Sequence, residues 1–149
     1  MIPIPHDFLE FLSCLSDHEV KFLLIGGYAV AYHGYVRTTG DLDVFVECSP
    51  ENAQKLVAAC RTFGLGSPVT VDLFLTPGNI LRFGVPPMRL EILNDISGVS
   101  FEECWGSHDV LRFREVEIPV ISIEKLLQNK KASGRQKDVL DLQMLQDKE

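Results

Sequence analysis

Two aspartates one residue apart, Asp41 and Asp43, stand in the run Gly40-Asp41-Leu42-Asp43-Val44-Phe45-Val46. In a β-strand, residues i and i+2 share a face and lie about 6.5–7 Å apart. Asp41 and Asp43 therefore project together, while Leu42 and Val44 turn to the opposite side. Carboxylates held that close repel each other unless a cation lies between them. A divalent metal bound through oxygen is the simplest such cation. An Asp-x-Asp pair alone equally describes an exposed strand or a loop, so its surroundings must supply the rest of the argument.

Upstream, Phe22-Leu23-Leu24-Ile25-Gly26-Gly27-Tyr28-Ala29-Val30 reads as a buried strand running into two glycines and then a short helix. Glycine lets the backbone approach a ligand closely. The free N–H groups at a helix start favour an anion. On this reading Gly26, Gly27 and the Tyr28 N–H hold phosphate. The chain between Gly27 and Asp41 is long enough for one helix and a return, so a phosphate cradle and a metal clamp can meet at neighbouring strand ends. Better-known phosphate loops do not fit. There is no G-x-x-x-x-G-K-[ST], and Gly64-Leu65-Gly66 follows a helix and lacks a third glycine. Ser107, His108 and Asp109 are consecutive, which does not make a hydrolase triad.

The elements that must position these residues follow from periodicity. Pro5 to about Asp17 is the first helix, with Phe8, Phe11, Leu12 and Leu15 at helical spacing. Residues 20–25 form a strand buried on both faces, residues 27–34 a short helix and residues 41–47 the second strand. Ser49-Pro50-Glu51 starts a helix that Gly64 ends. Residues 65–79 are a loop with one helical turn at 70–75. Asn79–Val85 and Arg89–Leu93 read as strands joined across Pro86-Pro87, and 101–105 as a helical turn. Residues 108–114 and 115–120 form a hairpin. A helix from Ser122 to about Lys131 is broken at Gly134, and 135–146 is the last helix. Helices around a small mixed sheet make an α+β (α/β-like) domain with a C-terminal helical pair.

At 149 residues the chain is expected to be one domain. Its net charge of −7 offers no broad basic face, so any nucleic acid would have to be held locally. Cys14, Cys48, Cys60 and Cys104 form no C-x-x-C pair and lack histidines at finger spacing, so free thiols and no structural zinc are expected. No basic segment precedes the first apolar run, and the longest apolar stretch is too short to span a bilayer. A cytoplasmic protein without a membrane segment is the expectation.

Gly26-Gly27, then Arg37-x-Thr39-x-Asp41-x-Asp43, then a later strand carboxylate, resembles the DNA polymerase beta-type nucleotidyltransferase superfamily. The similarity is closest to its small bacterial and archaeal members related to abortive-infection and toxin–antitoxin nucleotidyltransferases. Residues 79–93, 97–105 and 129–142 share it, so it covers nearly the whole chain. The resemblance implies a carboxylate triad holding two magnesium ions, with manganese as a substitute. One ion activates a hydroxyl, the other grips an NTP, and pyrophosphate leaves. Asp41 and Asp43 match the first two positions. Glu91 stands in the third, where the family has aspartate, and completes the set as proton acceptor. The plainer reading of Glu91 is a partly exposed strand residue paired with Arg89. Asp72, in Val71-Asp72-Leu73, is the reserve third acid.

Arg37 beside the aspartates reads either as a phosphate clamp or as an ordinary ion pair, and Thr39 as a phosphate ligand or a turn residue. Lys130, Lys131, Arg135 and Lys137 make a basic junction in an acidic chain. It reads equally as a solvated helix end or as a neutraliser of triphosphate. Lys130, Arg135 and Lys137 fall on matching positions of the family, which favours nucleotide binding. Asp138 and Asp141 read as anchors of the last helix. The acceptor is open among a small molecule, a protein and an RNA, and a homodimer is compatible with so small a transferase. The alternative function is a nucleotide-binding module that no longer catalyses and serves as a regulatory or toxin–antitoxin partner.

Overall fold

A computed structural model describes residues 3–36, 40–65, 69–85 and 88–148, without the side chains of 136, 137, 147 and 148. The order is α1 (His6–Asp17), β1 (Phe22–Ile25), α2 (Gly26–Tyr32), β2 (Asp41–Val46), α3 (Pro50–Phe63), α4 (Val71–Leu75), β3 (Ile80–Phe83), β4 (Arg89–Leu93), α5 (Phe101–Trp105), β5 (Asp109–Phe113), β6 (Val116–Val120), α6 (Ile123–Ser133) and α7 (Gln136–Lys148). Every expected element is present, and the departures lie at element ends. Val20 is buried as foreseen, but its N–H bonds to the Leu15 carbonyl and closes α1, so β1 starts later at Phe22. The Asn79 side chain bonds to the Leu73 carbonyl at 2.9 Å, which makes it a turn anchor and shortens β3. Pro86-Pro87 lies outside the described residues.

The strands form one mixed sheet in the order β3-β4-β2-β1-β6-β5. β1 and β2 are antiparallel, β4 runs parallel to β2, and β6 runs parallel to β1. The edge strands β3 and β5 are antiparallel to their neighbours. The apolar stripe of α1, formed by Phe8, Phe11, Leu12 and Leu15, is buried where the helix packs against α3 and β6. Leu42, Val44 and Val46 alternate on β2 and are fully buried, as period-2 geometry requires of a central strand. Phe45, on the same face as the aspartates, packs edge-on against Phe101 at 5.2 Å between ring centroids, and Phe101 stacks on Trp105.

Two buried asparagines set the strands that carry the site. Asn52, at the start of α3, accepts from the Lys21 N–H at 2.8 Å and donates to the carbonyls of Lys21 and Glu47. It ties the beginning of β1 to the end of β2. Asn94, just after β4, accepts from the Gly78 N–H and donates to the carbonyls of Phe74 and Thr76. It fixes the exit of β4 against the α4–β3 connection. Buried amides with their polar atoms matched in this way are costly to remove. Among the described residues, no helix is long and apolar enough to cross a membrane.

Candidate functional site

The site is built by strand pairing. Asp41 and Asp43 lie on β2, and the parallel register sets Asp43 opposite Glu91 and Asp41 opposite Arg89 on β4. Partners in register share a face, so all four side chains point the same way. Carboxylate oxygens of Asp41, Asp43 and Glu91 lie within 4.8 Å of one another. Glu91 is thus the third carboxylate of this cluster. Asp72, the reserve, sits exposed in the first turn of α4 and does not line this cleft.

Behind the acids, β1 runs into Gly26, which adopts a left-handed backbone with φ of 68°. A Cβ at Gly26 would run into the Asp43 carboxylate. Glycine is thus required twice, once for its dihedral and once for the room it leaves the acid. Gly26→Ala is expected to cost about 1–2 kcal/mol for the backbone alone and to push Asp43 off the triad. Thermal melting should show the first effect and loss of divalent-metal binding the second; unchanged metal binding would mean Asp43 is not held by this contact. Gly26 lines the cleft, whereas Gly27 and the Tyr28 ring are buried behind it, the ring edge-on to Phe8 at 6.0 Å.

The cleft has a volume of about 520 Å³. One wall is β3–β4, with Arg82 and Arg89, and the other is α6 and its following turn, with Asn129, Lys130, Ser133 and Arg135. Two arginines meet the acids from the first wall. Arg89 Nη2 lies 2.9 Å from Asp41 Oδ2 and 3.3 Å from Glu91 Oε1, and Arg82 Nε lies 3.0 Å from Glu91 Oε1. The hydrogen bond to Asp41 is the strongest of the effects that hold the Arg89 guanidinium above its ordinary range. The sequence named Arg89 only as an ion-pair partner of Glu91. That pair exists, but within the triad rather than instead of it. Arg82, Asp95 and Ser97 also line the cleft and were not foreseen. The cross-strand register of Arg82 with Glu91 was the one signal for Arg82.

The basic junction divides. Lys130 reaches the cleft but is buried, with Nζ 2.6 Å from Asp138 and 3.3 Å from Asp141. Asp138 also accepts from Ser133 and from Arg135 Nε at 2.7 Å. Burial pushes the Asp138 carboxyl up, but these hydrogen bonds and the Lys130 charge outweigh it and hold it at about 2. Asp138 and Asp141 anchor α7 to α6, as expected of them. Arg135 is largely exposed at the cleft rim, and the turn between the helices is made by a left-handed Gly134. Lys137 lies in α7 with its side chain undescribed, and Arg37, Thr38 and Thr39 fall outside the described residues. His33 donates from Nε2 to the Ile121 carbonyl, 2.7 Å away, in a packing role.

No protein-family model matches the chain, and no curated protein sequence is significantly similar to it. Solved structures do match over nearly its whole length. A candidate nucleotidyltransferase from Thermotoga maritima is 16% identical with a TM-score of 0.62, over 95% of this chain and 91% of that one. The lincosamide antibiotic adenylyltransferase LnuA, solved with lincomycin bound, is 15% identical with a TM-score of 0.57, over 96% of each. An antigenic nucleotidyltransferase-like protein from Paracoccidioides brasiliensis is 14% identical with a TM-score of 0.53, over 97% and 78%. The six-stranded mixed sheet, its flanking helices and these neighbours agree: the chain has the nucleotidyltransferase fold.

Proposed function

We propose that this chain is a metal-dependent nucleotidyltransferase that moves a nucleoside monophosphate from an NTP to a hydroxyl of an acceptor. The observation that carries this is the convergence of Asp41, Asp43 and Glu91 from two neighbouring strands onto one cleft. An all-carboxylate donor set with its oxygens gathered this closely suits a hard divalent ion such as Mg²⁺ or Mn²⁺. Bound there, such ions supply Lewis-acid activation of the acceptor hydroxyl and neutralisation of the triphosphate. The residues of the chain do the rest. Asp41 and Asp43 hold the ions, and Glu91 completes the set and accepts the hydroxyl proton. Gly26, which lines the cleft, leaves room for Asp43 and faces phosphate, while Gly27 and Tyr28 pack behind it. Lys130 and Arg135, with Lys137, Arg37 and Thr39, make the nucleotide side.

The test is label transfer from an NTP radioactive at its α-phosphate, with Mg²⁺, against fractions of a cell extract. Mass spectrometry of the labelled product then names the acceptor. The reading requires label on an acceptor and release of pyrophosphate. LnuA adds small hydroxyl-bearing antibiotics to the acceptors to be tried, beside protein side chains and RNA ends. Strong salt dependence of RNA affinity would single out the last. A second copy of the chain is checked by sedimentation.

The second reading, a nucleotide-binding regulatory or toxin–antitoxin module without turnover, is favoured by one observation. Two of the three acids, Asp41 and Glu91, are already paired with Arg82 and Arg89. Titration with ATP and Mg²⁺ that shows binding, with no label transferred to any fraction, selects it.

A further inference from the structure

Arg89 is not an ordinary surface partner of the triad. It stands directly opposite Asp41 in the parallel β2–β4 register and two residues before Glu91 on its own strand. Strand geometry therefore places its side chain on the face where the acids converge. Its guanidinium contacts Asp41 Oδ2 and Glu91 Oε1 together, and so bridges carboxylates contributed by two different strands. Those are acids that a cation shared by the triad must also bridge. Less than a third of the Arg89 side chain is exposed, against more than half of that of Arg82, which pairs with Glu91. Three carboxylates with oxygens within 4.8 Å of one another repel, and a fixed positive charge between two of them keeps them converged.

We propose that Arg89 is a built-in counter-cation of the triad, which a divalent ion must displace from Asp41 and Glu91 in order to bind. This rests on the reading of Asp41, Asp43 and Glu91 as metal ligands. Two consequences follow. The acid cluster stays assembled in the metal-free protein, because the guanidinium takes over part of the neutralising role. Metal affinity is lowered, because each incoming ion meets a resident positive charge and breaks two charge-assisted hydrogen bonds. The planar fork of arginine suits it to bridge two carboxylates, whereas lysine offers a compact charge on a flexible stem.

The experiment is titration of the metal-free full chain with Mn²⁺, followed by the electron paramagnetic resonance signal of the free ion and by calorimetry. No nucleotide is present. Arg89→Gln should bind Mn²⁺ about tenfold or more tightly than the wild type. Arg82→Gln, which removes only the outer pair, should change affinity less. Arg89→Lys keeps the charge but not the fork, and its affinity should fall between those of the wild type and Arg89→Gln. In melting experiments Arg89→Gln should gain more from Mn²⁺ than the wild type does; this also reads the effect if the variant is poorly folded without metal. Equal affinities in wild type and Arg89→Gln, or Arg89→Lys as tight as Arg89→Gln, overturn the proposal and leave the transferase reading standing. If Asp43→Asn binds Mn²⁺ as well as the wild type, the triad is not the metal site, and both fall.

Discussion

Asp43→Asn should lower nucleotidyl transfer by about a thousandfold or more while the protein melts within about 2–4 °C of the wild type. The rate expectation comes from the position of the residue. Asp43 is the acid in register with Glu91, and its carboxylate fills the space that Gly26 leaves. Asparagine keeps that volume but removes the charge and one anionic ligand. Losing about 4 kcal/mol of transition-state stabilisation from metal-held charge corresponds to about three powers of ten in rate. The stability expectation comes from charge. Asp43 belongs to three clustered acids, so removing one relieves repulsion and offsets lost contacts, leaving a net change below about 1 kcal/mol. Initial rates of pyrophosphate release and a thermal melt check the two halves. Turnover that survives in Asp43→Asn, with Mg²⁺ saturating, would remove the triad from the mechanism. A collapse in melting temperature would make Asp43 a structural residue instead.

Lys130→Met is expected to cost about 3–5 kcal/mol of stability. Lys130 is buried between Asp138 and Asp141, whose side chains are each only 1% exposed. Methionine fills similar space but leaves two buried carboxylates facing each other without their shared cation. Solvent screening is slight at that depth, so the penalty is not discounted as it would be on the surface. At this chain length the melting temperature should fall by roughly 10 °C or more. The pH dependence has a definite sign. The folded state holds Asp138 at about 2, below its ordinary value of 3.8. Its stabilising contribution is complete above that ordinary value and is lost as the pH falls towards the folded one. In Lys130→Met, Asp138 keeps Ser133 and Arg135 but loses the Lys130 hydrogen bond and charge, so less offsets its burial and protonation costs the variant less. The gap between the two proteins should therefore narrow from pH 7 to pH 3 in urea unfolding. A constant gap would place the cause in packing rather than in the charge pair.

These examples show what the residues disclose unaided. The paired aspartates of β2 were legible because a period of two, flanked by Leu42 and Val44, admits one arrangement of faces. The helical stripe of α1 was legible for the same kind of reason. Glu91 was reached through resemblance, because periodicity alone does not say which strand lies beside β2 or in what register. Arg89 was half seen: its pairing with Glu91 was foreseen, its bridge to Asp41 was not, since that bridge depends on the parallel pairing of distant strands. Lys130 was read from local charge density, yet its partners lie across the turn at Gly134, and its charge is spent on that buried pairing. Asn52 and Asn94 carried no signal at all. Their importance lies in main-chain atoms of other segments, which composition and spacing do not reveal.

The parallel pairing of β2 with β4 also governs when the acids can meet. Asp41 and Arg89 are separated by 48 positions, and α3, α4 and the whole of β3 must be synthesised between them. A contact across so long an intervening loop carries a loop-closure cost and forms late relative to helices and tight turns. A growing polypeptide that has emerged only as far as β3 already displays both aspartates, but neither Arg89 nor Glu91. It would expose the two aspartates before Arg89 and Glu91 have joined them. Completion of the acid cluster thus marks a chain in which β4 has docked beside β2.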